Sequence, residues 1–521
     1  MRQPDLLAVF LSLAITLTAG CATSALDMAP ERPDRPWQPR TTDTGEIVPG
    51  APALPTPSNE VKGGYTLPAN TAAAVIPPAA MFDATHAYAL PELIDVAESN
   101  NPLTRVAWND ARNAALVAGM AKSAYLPYLS ATAMAGYQTG HGSSSTLLGT
   151  AGTDTTVHGT VSVLSLQWLL FDFGGRAARL DAAEQLSVAA NIGFTAVHQQ
   201  VIYDVTVAFY AYEAARARAA MAAQGLNNAE AILVAAKARC KQGIGTVVEV
   251  AQATQNRAQA NLAQVQALGA ESDRYLALLS AVGISPLSKP KIADLPIRTL
   301  NPALRTPVDQ IVADAIARRP DVLSAYAAEK ASQSRIQAAE SEFMPKVFVS
   351  ASTSYNAGRA AITAIPPVGQ QAPTVNLNGS RYGVGAFVGV TIPLYDGGLR
   401  SAVLAQARND AESASAKRVR TTQEAVRQIV AGQNTLQTSL ASHEAAQALV
   451  AAAQTTYDAA LAAYRHGVGA ITDVLLAQNQ LLLAKNAYVD TYSGARTAAA
   501  TLALATGAIG AMGAVQDTVP R

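Results

Sequence analysis

The sequence predicts an α+β membrane protein built from two copies of one unit, in which β-hairpins run into very long helical hairpins. Three observations predict it. A set of motifs recurs at a nearly constant spacing. Four segments alternate apolar with small or polar residues at period two, as strands with one face in lipid do. Two stretches of about 65 residues read as uninterrupted helix, which at about 1.5 Å per residue makes rods of about 100 Å.

Composition narrows the field. Half of the residues are hydrophobic but only 6% are aromatic, so alanine carries much of the apolar content. That favours long helices in thin, close packing over a thick globular core. The formal net charge is zero, leaving no basic footprint for nucleic acid. Leu6–Leu17 is an apolar run of signal-peptide length, too short to span as an ordinary membrane helix. Ala19 and Gly20 before Cys21 resemble a bacterial lipoprotein cleavage box, with Thr18 where such boxes usually carry leucine. Lipidation of Cys21 is the expectation, and ordinary signal cleavage nearby the alternative. Ala22 after a lipidated cysteine implies sorting to the outer membrane. Cys240 would then be a lone thiol, so disulfides do not hold the fold. The best later candidate for a membrane helix, "TLALATGAIGAMGAV", is short and broken by Gly507, Gly510 and Gly513. Membrane entry after the signal must therefore use strands.

The chain divides as 1–20 signal peptide, 21–88 tether, 89–300 first unit, 301–510 second unit and 511–521 tail. Residues 22–88 hold 11 of the 27 prolines, which keeps the tether extended. Asn101-Pro102 matches Arg319-Pro320 and Pro127 matches Pro345, both at an offset of 218. The offset then becomes 224: Asp172 matches Asp396, Arg176 matches Arg400, Gly243 matches Gly467, Glu249 matches Asp473 and Gly283 matches Gly507. The six-residue change falls between the strands, where a variable loop is expected.

Each unit reads helix, strand, loop, strand, long helix, tight turn, helix. The first helix is predicted over 93–123 and again over 308–342, each closed by proline. Strands are predicted near 129–138, 157–171, 346–355 and 381–393. In the last, Tyr382, Val384, Ala386, Val388, Val390 and Ile392 share one face, against Gly383, Gly385, Phe387, Gly389 and Thr391. Four strands do not close a membrane barrel, which takes about eight. Either they form a soluble sheet or several chains share one barrel. The first rod carries a stripe at Val197, Val201, Val205, Ala208, Tyr212, Ala215 and Ala219. Asp172 and Asp396 stand where a carboxylate caps the start of a rod.

No enzyme constellation emerges. There is no GxxxxGK loop, "GVGAFVG" lies in a strand at the wrong spacing for a dinucleotide fingerprint, and "HEAAQ" (His443–Gln447) lacks the second histidine of a zinc motif. No metal or cofactor is expected.

The Asn-Pro opening, "SAYLP", "FDFGGR", "YDGGLR" and "HGVGAITDV" together resemble the outer-membrane efflux protein family, the TolC-like channel-tunnels, over residues 88–510. The start resembles its lipoprotein branch. The resemblance implies a homotrimer in the outer membrane of a Gram-negative bacterium. Each chain would give four strands to a shared twelve-stranded barrel, and the helices would continue as a hollow α-barrel across the periplasm. It implies a passive exit duct for small molecules, fed by an inner-membrane transporter of RND or ABC type through a periplasmic adaptor. Type I protein secretion is the alternative within this architecture, and a structural coiled-coil lipoprotein without a channel the alternative outside it. The turns Gly243-Ile244-Gly245 and Gly467-Val468-Gly469 would meet the adaptor, or simply end helices. Glu249 and Asp473, with Arg239, Lys241 and Arg465 in reach, are candidates for the periplasmic gate. Equally, the two acids would serve only to neutralise the first turns of the returning helices.

Overall fold

A computed structural model describes residues 85–146, 149–294, 308–358 and 382–511 continuously, with scattered positions from 28 to 83. Cys21, the tail after Ala511 and the expected variable loop at 359–381 lie outside the described residues. Residues 1–80 and 81–521 are separate units. In the first, Thr41 and Ile47 form an antiparallel bridge. The second opens with β1 (Ala87–Tyr88), α1 (Leu90–Asn100), α2 (Pro102–Ser123), β2 (Tyr128–Thr146), β3 (Gly149–Phe171), α3 (Gly175–Lys241) and α4 (Val247–Val282). It continues with β4 (Lys291–Ile292), α5 (Val308–Ile316), α6 (Pro320–Ser341), β5 (Lys346–Gly358), β6 (Tyr382–Thr391), α7 (Leu399–Arg465) and α8 (Ile471–Ala505).

The two rods, α3 and α7, each run 67 residues without a break. Many of the contacts along α3 are small. Ala178, Ala182, Ala183, Ala215, Ala219, Ala222, Ala229 and Ala236 are all buried along α3, and alanine lets helix axes approach closely. Of the predicted stripe, Val201, Val205, Tyr212, Ala215 and Ala219 are buried.

Where one opening helix was predicted in each unit, there are two. The residue before proline is driven out of the α region by the ring. Asn101 sits at φ −66°, ψ 126° and Arg319 at φ −68°, ψ 126°, so the chain breaks before Pro102 and Pro320. Each break serves a contact. Asn101 Nδ2 donates to Ala281 O at the end of α4 (3.1 Å), and Arg319 Nη1 donates to Ala505 O at the end of α8 (2.6 Å). Both side chains thus satisfy carbonyls that a helix terminus leaves over. As a result α2 begins where α4 ends, and α6 begins where α8 ends. The two pairs stack end to end along α3 and α7.

β2, β3, β5 and β6 form an antiparallel sheet in that order. Val347, Val349 and Ala351 oppose Val390, Val388 and Ala386, and Trp168 and Leu166 oppose Val349 and Ala351, so one face is apolar from β3 to β6. A separate two-stranded parallel sheet joins β1 to β4. Beside it lies the largest core, where Leu93, Val201, Val205, Phe209, Leu278, Leu279 and Val282 pack from α1, α3 and α4. Among the described residues no helix is long and apolar enough to cross a membrane.

Gly283 ends α4 at φ 80°, and a Cβ there would stand 2.8 Å from Asn101 Cα. Gly283→Ala should therefore lower stability by about 1–2 kcal/mol or more. Gly494, helical with nothing within 4 Å of an added Cβ, should instead gain about 0.5–1 kcal/mol as alanine. Denaturant unfolding of both variants in detergent micelles measures the contrast.

Candidate functional site: the hairpin tips

Two helical hairpins, α3–α4 and α7–α8, end in turns of the same construction. Gly243 (φ 75°) and Gly467 (φ 83°) supply the left-handed residue that reverses each chain. Gly245 and Gly469 are required for a different reason. A Cβ on Gly245 would lie 2.9 Å from Cys240 N, and one on Gly469 3.0 Å from Ala463 Cβ. The amides of Ile244 and Gly245 both donate to Arg239 O, and those of Val468 and Gly469 to Ala463 O. This folding pushes the middle residues outward. Ile244 is 61% and Val468 84% exposed.

Behind the turns the hairpins are joined by three side chains. Tyr464, fully buried, donates its hydroxyl to Glu249 Oε2 at 2.9 Å. Arg239 Nη1 donates to Tyr464 O (2.8 Å) and Nη2 to Ile244 O (3.3 Å), with the guanidinium 4.8 Å from the Tyr464 ring centre. Arg239 Nε stands 3.9 Å from Glu249 Oε2. One guanidinium from α3 thus faces a ring, a carboxylate and two carbonyls contributed by α4, α7 and the first turn. Burial, followed by the hydrogen bond to Glu249, pushes the Tyr464 phenol up to about 12. Ile232, Ala236, Ala253, Tyr457, Ile471, Val474 and Leu481 form the apolar floor beneath.

Of the five charged residues singled out from sequence, only Arg239 and Glu249 come together. Lys241, Arg465 and Asp473 are exposed, and no ion pair to them forms among the described residues. Thr246 Oγ1 accepts from Glu249 N (3.2 Å) and caps α4, whereas Ala470 at the start of α8 has no side-chain cap. Sequence reasoning missed Tyr464. Its match in the first unit is Cys240, and a large aromatic where the other copy has a small thiol was the available signal.

At the other end of the rods, Asp172 Oδ2 accepts from Arg176 N (2.7 Å), and Arg176 Nη2 donates to Leu170 O (2.9 Å). Asp396 accepts from Gly398 N and Arg400 N, both at 3.0 Å, and the Arg400 amide together with that of Gly398 holds its carboxyl below the usual range. The residues that open the rods are Gly174 (φ 90°) and Gly398 (φ 91°), two positions beyond the aspartates. His443 packs 4.8 Å from the Tyr488 ring. Among the described residues no group of histidine, cysteine or carboxylate side chains is placed to hold a metal.

Residues 93–284 and 311–508 match the model of the outer membrane efflux protein family. The chain belongs to that family. Protein CyaE of Bordetella pertussis is 29% identical over 81% of this chain and 84% of its own length. The outer membrane efflux protein BepC of Brucella suis is 28% identical over 74% of this chain and 78% of its own. Among solved structures, the outer membrane protein VceC of Vibrio cholerae superposes on 80% of this chain and 96% of its own, with a TM-score of 0.66 at 21% identity.

The folded protein holds the Tyr464 proton more tightly than the unfolded chain does. The linked stability is therefore present below about pH 10 and lost as pH rises through about 12. Tyr464→Phe should remove that alkaline loss and cost about 1 kcal/mol at neutral pH. Denaturant unfolding at stepped alkaline pH tests both; an identical alkaline loss in the variant would contradict the assignment.

Proposed function

We propose that three copies of this chain close one twelve-stranded barrel in the outer membrane of a Gram-negative bacterium and serve as the exit duct of a tripartite efflux system. The observation that carries this reading is the four-stranded sheet with both edges, β2 and β6, unpaired among the described residues. Open edges are not tolerated in lipid, and four strands cannot close on themselves; three chains of four strands can. The alternating faces then put Val384, Val388 and Val390 toward lipid. The hairpins extend as a periplasmic tube, and small molecules pass through without bond chemistry. Acylation of Cys21 anchors the N-terminus in outer-membrane lipid.

Two turns per chain give the trimer six tips. Their bare backbone and the exposed Ile244 and Val468 suit docking to a periplasmic adaptor, which links the duct to an inner-membrane transporter of RND or ABC type. Arg239, Glu249 and Tyr464 hold the two hairpins of one chain together in the closed tip. Lys241, Arg465 and Asp473, exposed at the same level, are free to face neighbouring chains around the axis, where acidic rings attract cations.

Single-channel recording in planar bilayers tests the duct and its gate. Wild-type protein should conduct weakly. Glu249→Ala and Arg239→Ala should each raise conductance several-fold, with Glu249→Ala lowering cation preference as well. Silence of the wild type and of every gate variant would favour a structural coiled-coil lipoprotein. Deleting the gene should raise susceptibility to small toxic compounds; loss of one secreted protein without that change would favour type I secretion.

A further inference from the structure

The two halves of the chain predict how one copy pairs with the next. The junction between them inside one chain is the β3–β5 pair, which runs without slip from Gly159↔Gly358 to Leu169↔Phe348. β3 corresponds to β6 at the 224-residue offset, and β5 to β2 at 218. Applying both shifts carries Trp168↔Val349 to Ile392↔Ala131, Leu166↔Ala351 to Val390↔Ala133, and Leu164↔Thr353 to Val388↔Ala135. Resting on the trimer reading, we infer that β6 of one copy pairs antiparallel with β2 of the next in this register, with Val390 opposite Ala133, Val388 opposite Ala135 and Thr391 opposite Thr132.

An independent property of the sheet agrees. Directly opposed residues share a face. Following the pairs across one chain, Ala131 opposes Leu164, which opposes Thr353, which opposes Val384. Ala131, Ala133 and Ala135 therefore lie on the same face as Val384, Val388 and Val390. The inferred register joins these two apolar rows. A slip of one residue would set Val388 against Met134 or Gly136, on the other face, and break the lipid-facing surface along the whole seam.

The helices below the sheet follow the same shift. Within one chain α3 and α6 are joined by polar contacts, Asp181 with Ser334 and Arg179 with Glu342. The corresponding positions between copies are Ala405 with Leu116 and Val403 with Ala124. Leu116 is 64% and Val403 43% exposed in the single chain. Two polar links within the chain thus correspond to apolar positions between chains, and the exposed Leu116 and Val403 acquire a partner of like character.

Paired cysteines test the register in full-length protein carrying Cys240→Ser. The combinations Val388→Cys with Ala135→Cys and Val390→Cys with Ala133→Cys place sulfurs across directly opposed residues, within disulfide reach. The combinations Val388→Cys with Ala133→Cys and Val390→Cys with Ala135→Cys correspond to slips of two residues in either direction. Within one chain β2 and β6 are three strand spacings apart, about 14 Å, so no internal bond competes. Mild oxidation in outer-membrane preparations, read on non-reducing gels, should convert the first two variants to covalent dimers and trimers. Yield should exceed that of the slipped pairs by at least about fivefold. Preferential bonding of a slipped pair, or no bonding in any pair while the unoxidised protein sediments as a trimer, overturns the register. A monomer by sedimentation overturns the trimer reading itself.

Discussion

A backbone amide or carbonyl left unpaired in hydrocarbon costs several kcal/mol, and among the described residues the sheet of this chain leaves a row of them on each of two edges. Much of the molecule follows from that one constraint. The strands alternate so that one face carries a continuous apolar row from Trp168 through Val349 to Val388. The edge residues Val384, Val388 and Val390 stay exposed on a single copy, and the flanking helices present apolar side chains along the same two borders. The trimer proposed above gives both edges and both borders a partner.

The passage from sheet to helix carries its own geometric demand. Strands lie about 4.8 Å apart and helices about 8–10 Å, so the wall must be rebuilt within a few residues. Phe173 (φ 52°) and Gly174 in one unit, and Gly397 (φ 71°) and Gly398 in the other, make that change with left-handed backbone. Arg176 then ties the new helix to the strand it left, through the carbonyls of Leu169 and Leu170. Below this point α3 packs largely through alanine, whereas α7 buries Ile429, Leu436, Tyr457 and Tyr464 beside Ala425 and Ala446.

The tips show how two similar phrases acquire unlike roles. Glu249 and Asp473 occupy corresponding positions, yet Glu249 is held by Tyr464 and Arg239 while Asp473 faces solvent. The difference arises two turns away in sequence and on another helix. Arg239 and Tyr464 are matched by Ala463 and Cys240, so only one of the two acids has partners to meet.

Periodicity and repetition were enough to place strands, rods and turns, because alternation at two and at about 3.6 residues is set by backbone geometry alone. The turn glycines were legible for the same reason. The opening helices were not: apolar spacing continues through Asn101-Pro102 and Arg319-Pro320, and the break is explained only once the side chains of Asn101 and Arg319 are seen to cap α4 and α8. Tyr464 was likewise hidden, since its partner Glu249 lies 215 positions away. By itself the sequence determined the four long strands, the two rods, their turns and the order of these elements. The tertiary structure decided which charged groups meet, because ion pairs and hydrogen bonds depend on distances of about 3 Å between helices that local pattern does not encode.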